Sequence, residues 1–208
     1  MRRSLSLSLP LAVATAVLLA GCAAAAPTQP DADHVPDTAP VATPTPTPTA
    51  EPDPTYGDRV INERGNLVKE VGQLAGISLS DDADVAIVQF AVTDLVVDVP
   101  CTREFAEPAK NGHYVGIHLS VETTPALAQE DVPSISFSEW AWIAFDAAGK
   151  RVNDPLGNAW WCLDTGDQLP PDIGPAQSVS GWVVLDLPTD TGAVVLTHGT
   201  TTGWEWAY

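Results

Sequence analysis

Basic residues are scarce in this chain of 208 residues: it has 9 Lys and Arg against 27 Asp and Glu, a formal net charge of −18. Binding to a phosphate backbone requires a basic surface that releases counterions, so this balance excludes a nucleic-acid partner. The same sign disfavours an electrostatic hold on anionic lipid. We therefore expect any membrane attachment to depend on something other than surface charge.

Long hydrophobic runs are also few. An apolar stretch over residues 9–20 follows two arginines; it is too short to span a bilayer and is typical of a secretory signal. It ends in Leu19-Ala20-Gly21-Cys22, which resembles the bacterial lipobox, where the cysteine thiol is acylated and the chain is cut before it. We predict a signal peptide over residues 1–21 and a lipidated Cys22. The alternative is an ordinary secretory signal cleaved among residues 23–26.

Lysine and arginine are absent from residues 22–57, where 9 of 36 residues are proline. Such a segment cannot bury enough apolar surface to offset the entropy of ordering it. We predict a disordered Pro/Thr-rich tether over residues 22–57 and one folded domain over residues 58–208. The domain carries 22 acids and 7 bases, a net charge of −15, which keeps it soluble and limits its partners to neutral, cationic or calcium-bridged ones.

Cysteine is scarce as well, with three in the chain. With Cys22 assigned to the anchor, Cys101 and Cys162 remain inside the predicted domain, and an exported chain resides in an oxidising compartment. We predict a disulfide between them. The alternative, a reactive or metal-binding pair, lacks a second Cys or His at ligand spacing beside either residue.

The predicted domain has mostly a period of two. Apolar and polar residues alternate over residues 114–122 and again over 179–187. Turn signals such as Asn111-Gly112 separate further runs that are rich in β-branched and aromatic residues. This pattern predicts an all-β antiparallel sandwich. Residues 65–77 fit either a helical face or a strand, but their interior glycines would each cost ~1 kcal/mol in a helix, which favours a first strand.

The order of several short segments resembles a known family. The segments are residues 65–73 (GNLVKEVGQ), an apolar strand ending at Cys101, 111–115 (NGHYV), 146–149 (DAAG), Cys162 and 181–188 (GWVVLDLP). In this order they resemble actinobacterial secreted and lipoprotein domains that are grouped with the immunoprotective extracellular antigens. The resemblance implies an immunoglobulin-like β-sandwich and a surface location, and it brings no catalytic residues to carry over.

Motifs that carry chemistry are lacking. No Gly-x-Ser-x-Gly elbow is present. His113 and His118 differ by an odd number of positions on one predicted strand, so they should point to opposite faces and cannot clasp one metal. The acidic clusters at residues 81–84 and 164–167 do not follow the calcium-loop pattern and are predicted to be solvated turns. We predict no cofactor and no metal.

Tryptophan, in contrast, is plentiful, with seven residues. Trp140 and Trp142 should share one strand face, as should Trp204 and Trp206, while Trp182 lies opposite an apolar stripe. Most should pack in the core, one of them against the disulfide. The predicted candidates for an exposed binding surface are Trp182, Trp204 and Trp206.

These features together predict a lipid-anchored cell-surface protein. We expect it to sit on the outer face of the cell membrane with its domain projecting into the wall, and to act as a non-catalytic module that binds an envelope protein or polysaccharide. One alternative is a carbohydrate-binding module whose exposed tryptophans stack on sugar rings. The other is a hydrolase whose site assembles only in space.

Overall fold

The computed structural model describes residues 56–200 and 202–208, and this part of the chain is built from β-strands. The strands are β1 Leu67–Val68, β2 Leu74–Ser78, β3 Ala86–Val97, β4 His113–Thr123, β5 Trp142–Phe145, β6 Ser178–Leu187, β7 Ala193–Leu196 and β8 Trp204–Ala207. Three short 3-10 turns accompany them: Pro125–Gln129, Glu139–Ala141 and Ala159–Trp161. The predicted signal peptide, the lipobox with Cys22 and nearly all of the predicted tether lie outside the described residues.

The eight strands form two four-stranded sheets. The first has the order β2-β3-β4-β6 and is antiparallel throughout; the second has the order β1-β8-β7-β5. In the second sheet β1 pairs with β8 in parallel. Such a pair needs a long connection, and here the rest of the domain lies between the two strands. The predicted all-β, immunoglobulin-like sandwich is confirmed, with one parallel pair where a fully antiparallel arrangement was expected.

A single large hydrophobic core lies between the sheets. From β4 it receives four branched apolar side chains, as the alternation predicts: Val115, Ile117, Leu119 and Val121. The second sheet contributes Trp142 from β5 and Trp206 from β8. Each large apolar side chain buried in this way contributes about 1.5–3 kcal/mol relative to exposure, so these inward faces hold the two sheets together.

The segment predicted as one first strand contains two strands that belong to different sheets. β1 and β2 are separated by a turn in which Gly72 has a φ of 88°. Glycine enters this left-handed region without the steric penalty of a Cβ atom. The strand prediction is confirmed over the helical alternative, but the prediction of one continuous strand is wrong because Gly72 marks a turn.

Lys69 fastens the start of the domain to the sheets. Its buried ammonium donates hydrogen bonds to the carbonyl oxygens of Tyr56 (2.5 Å) and Leu74 (2.7 Å). Burial lowers the pKa of Lys69. The Gln89 side-chain amide also donates to the Tyr56 hydroxyl, at 2.8 Å. Tyr56, which the sequence assigns to the tether, therefore contacts the folded domain.

Trp140 and Trp142 do not share a face, contrary to the prediction. Residues 139–141 form a 3-10 turn, and β5 begins only at Trp142. Trp140 is 77% exposed, whereas Trp142 is 2% exposed and donates its indole N–H to the Phe137 carbonyl oxygen at 3.1 Å. A 3-10 turn has three residues per turn, so the period of two does not extend across it.

Glu205 carries a buried charge on the outer face of the second sheet. It lies between two tryptophans in β8, and its own side chain points away from the core. Its carboxylate accepts hydrogen bonds from Arg64 Nε at 3.0 Å and from Asn66 Nδ2 at 2.7 Å. The Arg64 guanidinium also lies over the Phe145 ring, 4.6 Å from its centroid. This ion pair joins the turn before β1 to β8.

Candidate functional site

A disulfide joins Cys101 and Cys162, as predicted. Cys101 lies in the loop after β3, and Cys162 directly follows the 3-10 turn Ala159–Trp161. The Cys162 carbonyl oxygen also accepts hydrogen bonds from the backbone N–H groups of Thr102 (3.0 Å) and Arg103 (3.1 Å). The bridge therefore ties two loops to each other and does not link the two sheets.

The tied loops cover the outer face of the first sheet. Beneath them lies a second, smaller apolar group, here called the outer cluster: Val99, Tyr114, Ala159, Cys162, Leu163 and Val184. Trp182 and Cys101 pack against it. Trp182 thus packs against the same outer cluster as the disulfide, whereas the prediction placed a tryptophan against the bridge in the core.

Asp186 on β6 holds the same loops in place. Its carboxylate is fully buried and accepts three backbone N–H groups, from Lys110 (2.7 Å), Asn111 (2.8 Å) and Asn158 (2.9 Å). These charge-assisted hydrogen bonds replace the water that a buried carboxylate loses. The alternation in β6 places Asp186 on the same face as Trp182, and that face is covered by loops.

Trp182 is held between β4 and the loop that follows the disulfide. Gly116 on β4 leaves room for its indole, since a Cβ atom there would stand 3.1 Å from two ring carbons. The His118 ring packs edge-on against it, with the ring centroids 4.9 Å apart. On the other side, the Trp182 backbone pairs with Asp167 and Leu169. Trp182 is therefore half-buried in a fixed position.

A cleft of about 520 Å³ opens beside Trp182. Its lining includes the apolar residues Leu163, Leu169 and Val184, and most of the other lining residues come from two segments, 136–140 and 159–172. The volume falls within the range of about 300–1,000 Å³ that is typical of small-ligand sites. The polar and aromatic side chains on its lining are Arg103, Ser136, Ser138, Glu139, Trp140, Trp160, Thr165, Gln168, Asp172 and Trp182.

Two exposed tryptophans stand at this cleft. Trp140 is 77% exposed and Trp160 is 57% exposed, and each is carried on a 3-10 turn. The neighbouring Trp161 is 50% exposed but is not part of the lining. The Arg103 guanidinium lies over the Trp161 ring, 4.5 Å from its centroid, and Nη1 donates to the Trp160 carbonyl oxygen at 3.3 Å. The cation–π contact and the hydrogen bond together hold the turn Ala159–Trp161 against Arg103.

Glu139 contributes a buried acceptor to the cleft. Its Oε1 atom is out of contact with solvent and has no hydrogen-bond partner among the described residues. Glu139 lines this cleft and also a smaller neighbouring cavity of about 250 Å³, so its carboxylate stands between the two openings.

The three tryptophans predicted for a binding surface are placed differently from one another. Trp206 is 1% exposed and lies in the core, so the prediction of an exposed Trp206 is wrong. Trp204 is half-buried and packs edge-on against Phe90, with centroids 5.1 Å apart. Trp182 alone of the three lines the cleft. Trp204 and Trp206 share one face of β8, as predicted. That face is turned to the core, where Trp206 is buried and Trp204 packs against its surface.

Sequence reasoning missed Trp140, Trp160 and Glu139 as site residues. The available signal was the pairing of indoles: Trp160 and Trp161 are adjacent and directly precede Cys162, so a strand could not bury both on one face. Trp140 likewise stands beside a glutamate, which suits a surface turn better than a buried strand.

The histidines and acidic clusters give no sign of a metal site. His118 lies on the outer face, with Nδ1 2.6 Å from Thr93 Oγ1, whereas His113 contacts Asp98 at 2.9 Å from the other side of β4. No group of three or more His, Cys, Asp or Glu able to hold a metal occurs within residues 56–200 and 202–208. In the same part of the chain, no helix has the length and apolar character required to cross a bilayer.

Comparisons with known proteins give distant structural likenesses. No family model and no curated protein matches the chain. The secreted protein MPT63 of Mycobacterium tuberculosis matches with a TM-score of 0.43 and 15% identity, over 69% of this chain and 98% of MPT63. YcdA of Bacillus subtilis, a proposed lipoprotein, matches with a TM-score of 0.33 and 12% identity, over 52% of this chain and 30% of YcdA. Likeness at this level is too distant to transfer a function from either protein.

Proposed function

We propose that this protein is a lipid-anchored cell-surface module that binds a component of the cell envelope and catalyses no reaction. The observation that supports binding is the pair of exposed tryptophans, Trp140 and Trp160, at one cleft. Large aromatic side chains left in water forgo the free energy of burial, and they are enriched where partners bind. Their exposure at a preformed cleft is best explained by a ligand.

The loop that carries Trp160 is held in place by a covalent bond and a buried carboxylate before any ligand arrives. The disulfide fixes Cys162, next to Trp160 and Trp161, and Asp186 fixes the backbone at Asn158. Rigid loops lose less conformational entropy on binding than mobile ones, which increases affinity for a given set of contacts. The disulfide and the Asp186 carboxylate therefore favour a binding role, because they fix the Trp160 loop before a ligand binds.

The location rests on the N-terminal sequence. Leu19-Ala20-Gly21-Cys22 fits acylation of Cys22, and two acyl chains give stable anchoring where one chain gives marginal binding. The net charge of −15 on residues 58–208 repels anionic headgroups, so the domain would project away from the membrane into the wall. Its partner there would be an envelope protein or polysaccharide.

The alternative to a non-catalytic role is a hydrolase. The cleft does contain two carboxylates, Glu139 and Asp172. A hydrolase would use such a pair as acid and base or nucleophile. The experiment that tests binding therefore also measures product release.

The test uses the full chain purified in detergent micelles and sedimented with envelope fragments of the producing cells. We expect the wild-type protein and Phe105→Ala, which removes an exposed aromatic side chain outside the cleft lining, to sediment with the fragments. We expect Trp140→Ala/Trp160→Ala to stay in the supernatant. Equal sedimentation of all three proteins, or of none, would contradict the proposed surface. Release of soluble sugars or peptides that grows with time would contradict the non-catalytic role.

A further inference from the structure

The walls of the cleft offer flat apolar faces to a ligand. Trp140 comes from the turn before β5 and Trp160 from the turn before the disulfide, so the two indoles reach the cleft from separate loops. An indole face carries the negative part of the ring quadrupole, and it attracts weakly positive C–H groups. Pyranose and furanose rings present such C–H groups on their faces, together with hydroxyl groups at their edges.

The polar side chains of the cleft suit those hydroxyl edges. Glu139 Oε1 is buried and has no donor among the described residues. The Gln168 Nε2 atom donates to the Leu163 carbonyl oxygen at 2.9 Å, which orients that amide and leaves its oxygen as a further acceptor. A ligand with several hydroxyl donors would satisfy both acceptors. An apolar ligand such as an acyl chain would remove water from the Glu139 carboxylate and the Gln168 amide without pairing either, which is unfavourable.

The charges around the cleft disfavour an anionic ligand. Glu139 and Asp172 oppose an anion, and the −15 charge of residues 58–208 adds to this effect. Arg103 also lines the cleft and supplies hydrogen-bond donors there. A neutral ligand that both donates and accepts hydrogen bonds can use all three side chains.

We infer that the cleft binds a neutral saccharide, with Trp140 and Trp160 stacked on sugar rings and Glu139 accepting from ring hydroxyls. This inference rests on the proposed binding function and names the ligand class for its site. It assigns the carbohydrate-binding role to residues other than the three tryptophans that the sequence suggested, of which only Trp182 reaches the cleft.

The inference is tested by calorimetric titration of the full chain in detergent micelles with neutral oligosaccharides of two to six rings, built from glucose, mannose, galactose or arabinose. We expect at least one series to bind. Trp140→Ala and Trp160→Ala should each weaken binding by about tenfold or more, the loss typical of a binding hot spot. Glu139→Ala should weaken binding similarly, and Glu139→Gln less, because it keeps one acceptor oxygen.

Phe105→Ala is the matched control, because Phe105 is an exposed aromatic side chain, 89% exposed, that does not line the cleft. Its affinity should stay within about twofold of wild type, well short of a hot-spot loss. Binding that survives in both Trp140→Ala and Trp160→Ala would overturn the inference, as would a preference for a lysine-rich peptide over every oligosaccharide.

The two proposals fail in different ways. If envelope fragments bind in a Trp140- and Trp160-dependent manner but no oligosaccharide of the panel does, the saccharide inference is wrong and the surface-binding function stands. If neither the fragments nor the oligosaccharides bind, both are wrong. If oligosaccharides bind and are then cleaved, the saccharide site stands and the non-catalytic role is wrong.

Discussion

Gly157 and Asp186 fit together so closely that a Cβ atom at position 157 would overlap the buried Asp186 carboxylate. Gly157 has a φ of 43°, and its N–H donates to Asp154 Oδ1 at 3.2 Å. The close approach brings the loop that carries Trp160 down onto β6. The position of the cleft wall therefore depends on a residue without a side chain.

Gly157→Ala should lower the free energy of unfolding by about 3 kcal/mol. About 1 kcal/mol comes from the positive φ, and the rest from hydrogen bonds to the carboxylate that the new methyl group would displace. Gly149→Ala is the control: it also has a positive φ, 75°, but has nothing within 4 Å of the added Cβ, so it should lose only about 1 kcal/mol. Urea denaturation measures both, and equal losses would contradict the role of the Asp186 contact.

Glu205 should make the domain sensitive to acid. Burial on its own raises the pKa of Glu205, but hydrogen bonds from Arg64 and Asn66 and the charge of Arg64 outweigh it, so the net pKa is lowered. A carboxyl group whose pKa is lower in the folded than in the unfolded state contributes stability above its unfolded pKa. That contribution should disappear as the pH falls from about 4.5 through the lower folded pKa.

Glu205→Gln removes this titration. The variant should be less stable than wild type at pH 7, because Arg64 loses its charged partner, and its stability should fall less steeply between pH 5 and pH 3. Thermal unfolding across this pH range measures both effects. Glu104→Gln, at an exposed position, is the control and should follow the wild-type curve. Parallel curves for Glu205→Gln and wild type would show that Glu205 does not carry the acid sensitivity.

Reduction of the Cys101–Cys162 bridge should destabilise the domain by roughly 4 kcal/mol, the chain-entropy value for cysteines about sixty residues apart. Since the bridge joins loops of the outer cluster, amide hydrogen exchange should increase more at residues 99–103 and 159–165 than in β4. The measurement compares urea midpoints with and without reductant. Cys101→Ser/Cys162→Ser should not respond to reductant, and a wild-type midpoint that also does not respond would count against a stabilising bridge.

Cys22→Ala should abolish incorporation of labelled palmitate and release the protein from the membrane fraction, because the acylated thiol is lost. Labelling followed by detergent partitioning measures both. Cys101→Ser/Cys162→Ser, which retains Cys22, should still be labelled. Label that persists in Cys22→Ala would contradict the lipobox interpretation.

The architecture was predictable where side chains alternate along a strand. In β4 the run from Tyr114 to Glu122 shows one apolar face, and the register of β4 with its neighbours follows from burying that face. The same rule placed Trp204 and Trp206 together. It does not say which side of a strand faces the core, and here Glu205 between them was the better indicator, since the charged side chain took the outer face.

The site was harder to predict because its residues come from separate loops. Trp140 and Trp160 lie on 3-10 turns that have no long periodic signal, and they meet across a cleft only when the loops pack on β6. Asp186 and Gly157, which bring one of these loops into place, are nearly thirty residues apart in the chain. Local sequence patterns do not reveal contacts between residues this far apart. The contact between Cys101 and Cys162 was predictable because the two cysteines of an exported domain are expected to form a disulfide.

The parallel pairing of β1 with β8 also decides how the domain would bear mechanical load. The chain enters the domain at Tyr56, whose carbonyl oxygen is held by the Lys69 ammonium. The backbone N–H of Lys69 then donates to Glu205 in β8, and that of Leu67 donates to Gly203 directly before β8. A pull on the N-terminal segment therefore meets these contacts first, far along the chain from Trp140 and Trp160. Tension on the proposed lipid anchor would strain the edge of the second sheet before it reached the loops of the cleft.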